Sequence, residues 1–161
     1  MTDQYKNILD LLPYKSSFRF VDEISFVDDD KVIGSYTLRG DSFFYKDHFP
    51  GYPVTPGVIM IEIMAQIGLV VQGIYQILNT SSENFNQEGV FPLLTSTQVE
   101  FYKMVLPGET VEVHSKKNYF RFNKLKCGVE MFNAQQELVA KGIFSGIIKP
   151  KQKDWILNLK K

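Results

Sequence analysis

TPGVIMIEIMAQIGLVVQGIYQIL, residues 55–78, decides the fold. From Val58 to Leu78 nearly every position is apolar, so a helix built from it has no face suited to water. The stretch approaches the length of a membrane span. It also carries Glu62, Gln66 and Gln72, with Gly68 and Gly73, and a carboxylate at bilayer depth is costly. The reading is therefore a helix surrounded by protein. Its start is marked by Thr55 as N-cap, Pro56 at the first helical position and Gly57 behind it.

The flanking segments supply the wrapping. Upstream, DQYKNILDLL (residues 3–12) has helical spacing and stops at Pro13. Phe18–Val21 and Ile24–Val27 read as one strand, Asp28–Lys31 as its turn and Val32–Leu38 as the returning strand. Arg39–Thr55 is a loop rich in glycine, proline and aromatics. Downstream of a polar loop at 79–90, four strands are predicted at about 93–104, 109–120, 124–133 and 137–148. Val111, Val113, Val129 and Met131 show the period of half-buried strands. The fold class is α+β, one long apolar helix wrapped by an antiparallel sheet.

Length and composition agree. A chain of 161 residues suits a single domain with a proper core. Eighteen Lys+Arg balance eighteen Asp+Glu, so no global charge draws it to nucleic acid or anionic membrane. The single Cys127 forms no internal disulfide, and with two histidines a zinc site is not expected. Residues 1–15 lack the basic start and apolar run of a signal peptide, which makes the cytoplasm the expectation. Residues 149–161 form a basic tail with an apolar knot around Trp155.

Chemistry concentrates in residues 47–66, DHFPGYPVTPGVIMIEIMAQ. His48 lies in a loop stiffened by Pro50, Pro53 and Pro56. Glu62 stands about two turns into the helix among Ile61, Ile63 and Met64, where a carboxyl is harder to ionise. It is either paired with a Lys or Arg from elsewhere or functional. The amides of Gly57 and Val58 stand at the positive end of the helix dipole, where they can polarise a carbonyl. Gln66, one turn beyond Glu62, either orients it or bonds a backbone group. His114, between Val113 and Ser115, is expected at the surface.

The string His-Phe-Pro-Gly-x-Pro-x-x-Pro-Gly-Val-(x)3-Glu-x-x-Ala-Gln closely resembles the signature of FabZ-type 3-hydroxyacyl-[acyl-carrier-protein] dehydratases. Leu11-Leu12-Pro13 with Phe18 and Val21-Asp22, and Phe101 with Val105-Leu106-Pro107-Gly108-Glu109, extend the resemblance over residues 9–148. It implies a hot-dog fold and a hydro-lyase that needs no metal or redox cofactor. The implied substrate is a (3R)-3-hydroxyacyl chain on the phosphopantetheine of an acyl carrier protein, and the product a trans-2-enoyl thioester. His48 and Glu62 are the implied catalytic pair, contributed by opposite subunits of a homodimer, with a trimer of dimers as the next assembly. His48 takes the C2 proton, Gly57 and Val58 hold the thioester oxygen, and Glu62 assists departure of the C3 hydroxyl. Ile59, Met60 and Phe101 are expected to line an acyl tunnel.

The chain also departs from the pattern. Tyr14-Lys15 stands where the family commonly has His-Arg, Glu100 replaces a basic residue, Met104 a proline, and Thr97 stands near a common Asp. These positions leave two settings open, general fatty-acid elongation and a polyene or pigment pathway on a dedicated carrier. Glu62 in place of Asp looks FabZ-like rather than FabA-like. Lys116, Lys117, Arg121, Lys124 and Lys126 cluster around one turn and either receive an acidic carrier protein or form a solvated hairpin. The rival functions are a hot-dog acyl thioesterase and a non-catalytic acyl-carrier-binding subunit.

Overall fold

The computed structural model describes residues 3–80 and 89–151; most of the 79–90 loop and the tail around Trp155 lie outside them. Along the chain come α1 (Asp3–Leu11), β1 (Glu23–Val27), β2 (Lys31–Thr37), α2 (Gly57–Ala65), a π-helical stretch (Gln66–Val71) and α3 (Gln72–Thr80). Four strands follow: β3 (Val90–Phe101), β4 (Thr110–Arg121), β5 (Lys124–Phe132) and β6 (Leu138–Pro150). All six strands pair antiparallel in the order β1-β2-β4-β5-β6-β3. This is the α+β, helix-in-sheet architecture expected of the hot-dog fold.

From α2 through α3 the chain is one helix, Gly57–Thr80, of 24 residues. Length and composition alone qualify it to cross a membrane, but 78% of its most apolar window is buried within the protein. Ile63, Met64, Ile67 and Ile74 are fully buried on it, against Val113, Val129, Phe144 and Ile148 of the sheet. Two glycines set the helix-to-sheet distance. A Cβ on Gly68 would stand 2.9 Å from Val129, and one on Gly73 2.5 Å from Ile148, so either side chain would push the layers apart. Strands β4 and β5 alternate as the sequence pattern requires: Val111, Val113, Leu125, Cys127, Val129 and Met131 are buried, with polar residues between them.

One predicted strand segment is absent. Ser16–Phe18 forms a short 3₁₀ turn, and β1 begins only at Glu23. The reason is a side chain acting as ladder partner. Gln66 Nε2 donates to the Phe18 carbonyl at 2.8 Å, and the Phe20 amide donates to Gln66 Oε1 at 2.8 Å. These backbone groups are satisfied by the helix, so residues 18–20 need no neighbouring strand.

Candidate active site

The helix start differs from the sequence reading in one respect. Thr55 does not cap it, because its hydroxyl is bonded to the Tyr45 phenol at 2.6 Å and its amide to the Val105 carbonyl at 2.9 Å. Pro56 takes the cap position without a side-chain bond, and Gly57 is the first helical residue. The bonds to Pro56 O begin with the Ile59 amide at 2.9 Å, so the Gly57 and Val58 amides are the free donors of the first turn. Val58 exposes 71% of its surface. Gly57 faces the Phe101 ring, which would lie 3.3 Å from an added Cβ; its missing side chain admits that contact.

His48 is oriented by its own loop. Its amide donates to the Phe44 carbonyl at 2.9 Å, and its carbonyl accepts from Val54 at 3.0 Å. Nδ1 lies 2.9 Å from the Val54 carbonyl. A carbonyl only accepts, so in the neutral ring Nδ1 carries the hydrogen and Nε2 keeps its lone pair. The ring stacks on Phe49 with centroids 4.2 Å apart.

Glu62 is half-buried, and among the described residues no Lys or Arg pairs with it. Gln66 Nε2 donates to its Oε1 at 2.8 Å. Burial raises the carboxyl above the ordinary carboxylate range, and the Gln66 bond pulls part of the way back. Gln66 therefore does both things open to it, holding Glu62 and bonding the backbone of residues 18 and 20.

Two cavities flank this end of the helix. One, of about 300 Å³, is lined by Val54, Gly57, Met60, Phe101 and Met104 among others. The second, of about 140 Å³, holds Glu62 with Tyr14, Ala65, Leu69, Val70 and Leu93. They share no lining residue, and His48 lines neither of them. Of the three tunnel candidates, Met60 and Phe101 line the larger cavity, whereas Ile59 is 8% exposed in the core and lines neither. Pattern reading missed the lining role of Tyr14, Leu69, Val70 and Leu93; the only signal was Tyr14 in place of the usual His.

The basic group does not form one patch. Lys117 Nζ turns in, donating to Gln76 at 3.3 Å and lying 3.8 Å from Asp30. Arg121 and Lys124 line a groove of about 580 Å³ with Tyr119 and Phe122, while Lys116 lines a different one. The β4–β5 hairpin starts beside Gln76, about 21 Å along the helix from Glu62 at 1.5 Å per residue. His114 is a surface residue, 38% exposed and bonded to Glu112 at 2.6 Å.

The model of the FabA-like domain matches residues 12–142, a span that contains both His48 and Glu62. The 3-hydroxyacyl-[acyl-carrier-protein] dehydratase FabZ of Rickettsia bellii is 31% identical over 94% of the chain and 99% of its own length. The chain belongs to the FabZ family. The bifunctional enzyme LpxC/FabZ of Porphyromonas gingivalis is 36% identical over 65% of the chain, which spans only 21% of that larger protein. Among solved structures, the dehydratase heterocomplex ApeI:P from Xenorhabdus doucetiae superposes with a TM-score of 0.72 at 15% identity, over 96% of this chain and 97% of that one. Thioesterase HI1161 from Haemophilus influenzae gives 0.64 at 12% identity, over 95% and 96%. At such identities these last two likenesses speak to the fold alone, and a dehydratase and a thioesterase share it.

Proposed function

We propose that this FabZ-family chain is a 3-hydroxyacyl-[acyl-carrier-protein] dehydratase of fatty-acid biosynthesis, working in the cytoplasm as a homodimer on thioesters carried by phosphopantetheine. The observation that carries the reading is Glu62: a half-buried carboxyl, held by Gln66 and matched by no described cation. Such a group keeps its proton to higher pH than an exposed carboxyl does, which suits it to act as an acid. His48, with Nδ1–H committed to Val54, offers Nε2 as the base for the C2 proton. The Gly57 and Val58 amides stabilise charge developing on the thioester oxygen. As the C3–O bond breaks, Glu62 delivers its proton to the departing oxygen, and C2=C3 forms. The acyl chain runs past Met60 and Phe101.

The placement of Glu62 in the smaller cavity, with His48 lining neither of the two, favours a site completed by a second subunit. So does the open edge of β3, where Leu93 and Leu94 are 46% and 44% exposed. An isolated monomer by gel filtration at assay concentration would contradict that assembly.

The test is turnover of a 3-hydroxyacyl-carrier thioester to its enoyl product by wild type, His48→Ala and Glu62→Gln. Each variant is expected to lose about 10²- to 10⁴-fold, the usual contribution of a general acid or base, while staying folded. An inactive wild type that releases free thiol from an acyl thioester lacking the 3-hydroxyl would make the chain a thioesterase instead.

A further inference from the structure

The cavity beside Glu62 contains a second polar group that the reaction above does not use. Its lining is apolar, Ala65, Leu69, Val70 and Leu93 among others, except for the Glu62 carboxyl and the Tyr14 phenol. At about 140 Å³ it exceeds the roughly 30 Å³ that one water occupies in the liquid, so a hydroxyl and the carbon bearing it fit.

The departing oxygen gains negative charge as C3–O breaks and needs hydrogen-bond donors in this apolar space. Gln66 cannot supply one. Its Nε2 gives one hydrogen to Phe18 O and the other to Glu62 Oε1. The Tyr14 phenol, by contrast, has no hydrogen-bond partner among the described residues. Its ring is set against Phe18, centroids 6.3 Å apart, on the loop that Gln66 clamps to the helix.

Resting on the dehydratase reading, we propose that Tyr14 and Glu62 form a two-point site for the oxygen that leaves C3, a water site at the end of the reaction. Glu62 gives that oxygen its proton, C3–O breaks as C2=C3 forms, the C2 proton passes to His48, and the product is water. The Tyr14 O–H donates a hydrogen bond throughout and keeps its proton. Burial and the nearby Glu62 carboxylate push the phenol above its ordinary range, which suits a donor that stays neutral.

Tyr14→Phe removes the hydroxyl and keeps the ring. On a 3-hydroxyacyl-carrier thioester, kcat is expected to fall about 10- to 100-fold, as for a lost bond to a charged group, with KM and Tm unchanged. Tyr14→His, which restores a donor, is expected to recover part of the rate. Retention of kcat within about twofold in Tyr14→Phe would overturn the proposal. So would a Tyr14→His protein as slow as Tyr14→Phe with the same Tm, or a loss of rate matched by a loss of Tm. A wild type that dehydrates no 3-hydroxyacyl thioester fails earlier, at the dehydratase reading, and is distinguished by being measured first.

Discussion

Gln66 and Gln72 lie on the same helix, both fully buried, and both reach across to the backbone of a loop. Gln72 Nε2 donates to the Asp28 and Asp29 carbonyls at 2.9 and 3.3 Å, leaving its own Oε1 buried and unbonded. Gln76 does the same for Asp29 at 2.8 Å and also receives Lys117. These glutamines tie the β1–β2 turn to α3, and every partner is backbone or a structural side chain. Gln66 ties down a loop too, but one of its hydrogens goes to a carboxyl that no described cation neutralises. Buried polarity alone is thus a poor marker of a site. An ionisable group placed in the polar cluster and left without a counter-charge is what separates the two halves of the helix.

The largest test of that difference replaces each glutamine with leucine. Gln66→Leu leaves the buried Phe20 amide without its partner, at about 1–3 kcal/mol, and removes the donor to the Phe18 carbonyl. It also frees Glu62 and the Tyr14 loop, and a displacement of order 1 Å costs about 10²-fold in rate. Gln72→Leu, which removes an amide already missing one partner, is expected to cost about 1 kcal/mol and leave kcat intact. Denaturant melts and kcat on both variants decide it. Equal losses of kcat at equal stability would erase the distinction between the halves.

A smaller effect lies in the pH dependence of stability. Because Glu62 has a folded pKa raised above 4.5, the native state holds its proton where the unfolded chain has lost it. The contribution is therefore fully present below about pH 4.5 and lost as pH rises through the folded pKa. Glu62→Gln lacks this step. The Tm difference, variant minus wild type, is expected to grow from acid to neutral pH and then level off. A difference flat across that window would mean that Glu62 pays no desolvation cost and is not poised as an acid.

How much of this was legible in residue order follows the same division. The apolar run at 58–78, the alternation in β4 and β5, and the His48 and Glu62 positions are local patterns, and local patterns survive into the fold. What could not be read depends on where a side chain meets distant backbone. Phe18–Val21 has strand-like composition, yet Gln66, far along the chain, takes its hydrogen bonds. Thr55 is a good cap by type, but Tyr45 claims its hydroxyl. Ile59 and Met60 are equally apolar and both buried, and only the folded helix shows that Met60 alone also borders the cavity. Tyr14 stood out as a substitution, while its place beside Glu62 required the loop to be folded.

The smallest expected effect concerns the far half of the helix and the basic hairpin above it. Adjacent in sequence, Lys116 and Lys117 point to opposite sides of β4, and Lys117 belongs to the Gln76–Asp30 cluster. Arg121 and Lys124, at the hairpin end, face the groove with Phe122, which is 96% exposed. If an acidic carrier protein docks there, Arg121→Glu with Lys124→Glu raises KM for a carrier-bound substrate several-fold, and the effect shrinks with added salt. A small thioester analogue is unaffected, because Glu62 lies far along the helix. Lys117→Glu provides the contrast: it places a carboxylate beside Asp30, lowering Tm while sparing KM. Were the hairpin reversal to change both substrates equally, the carrier would dock elsewhere, and the hairpin would be a solvated turn whose charges serve solubility alone.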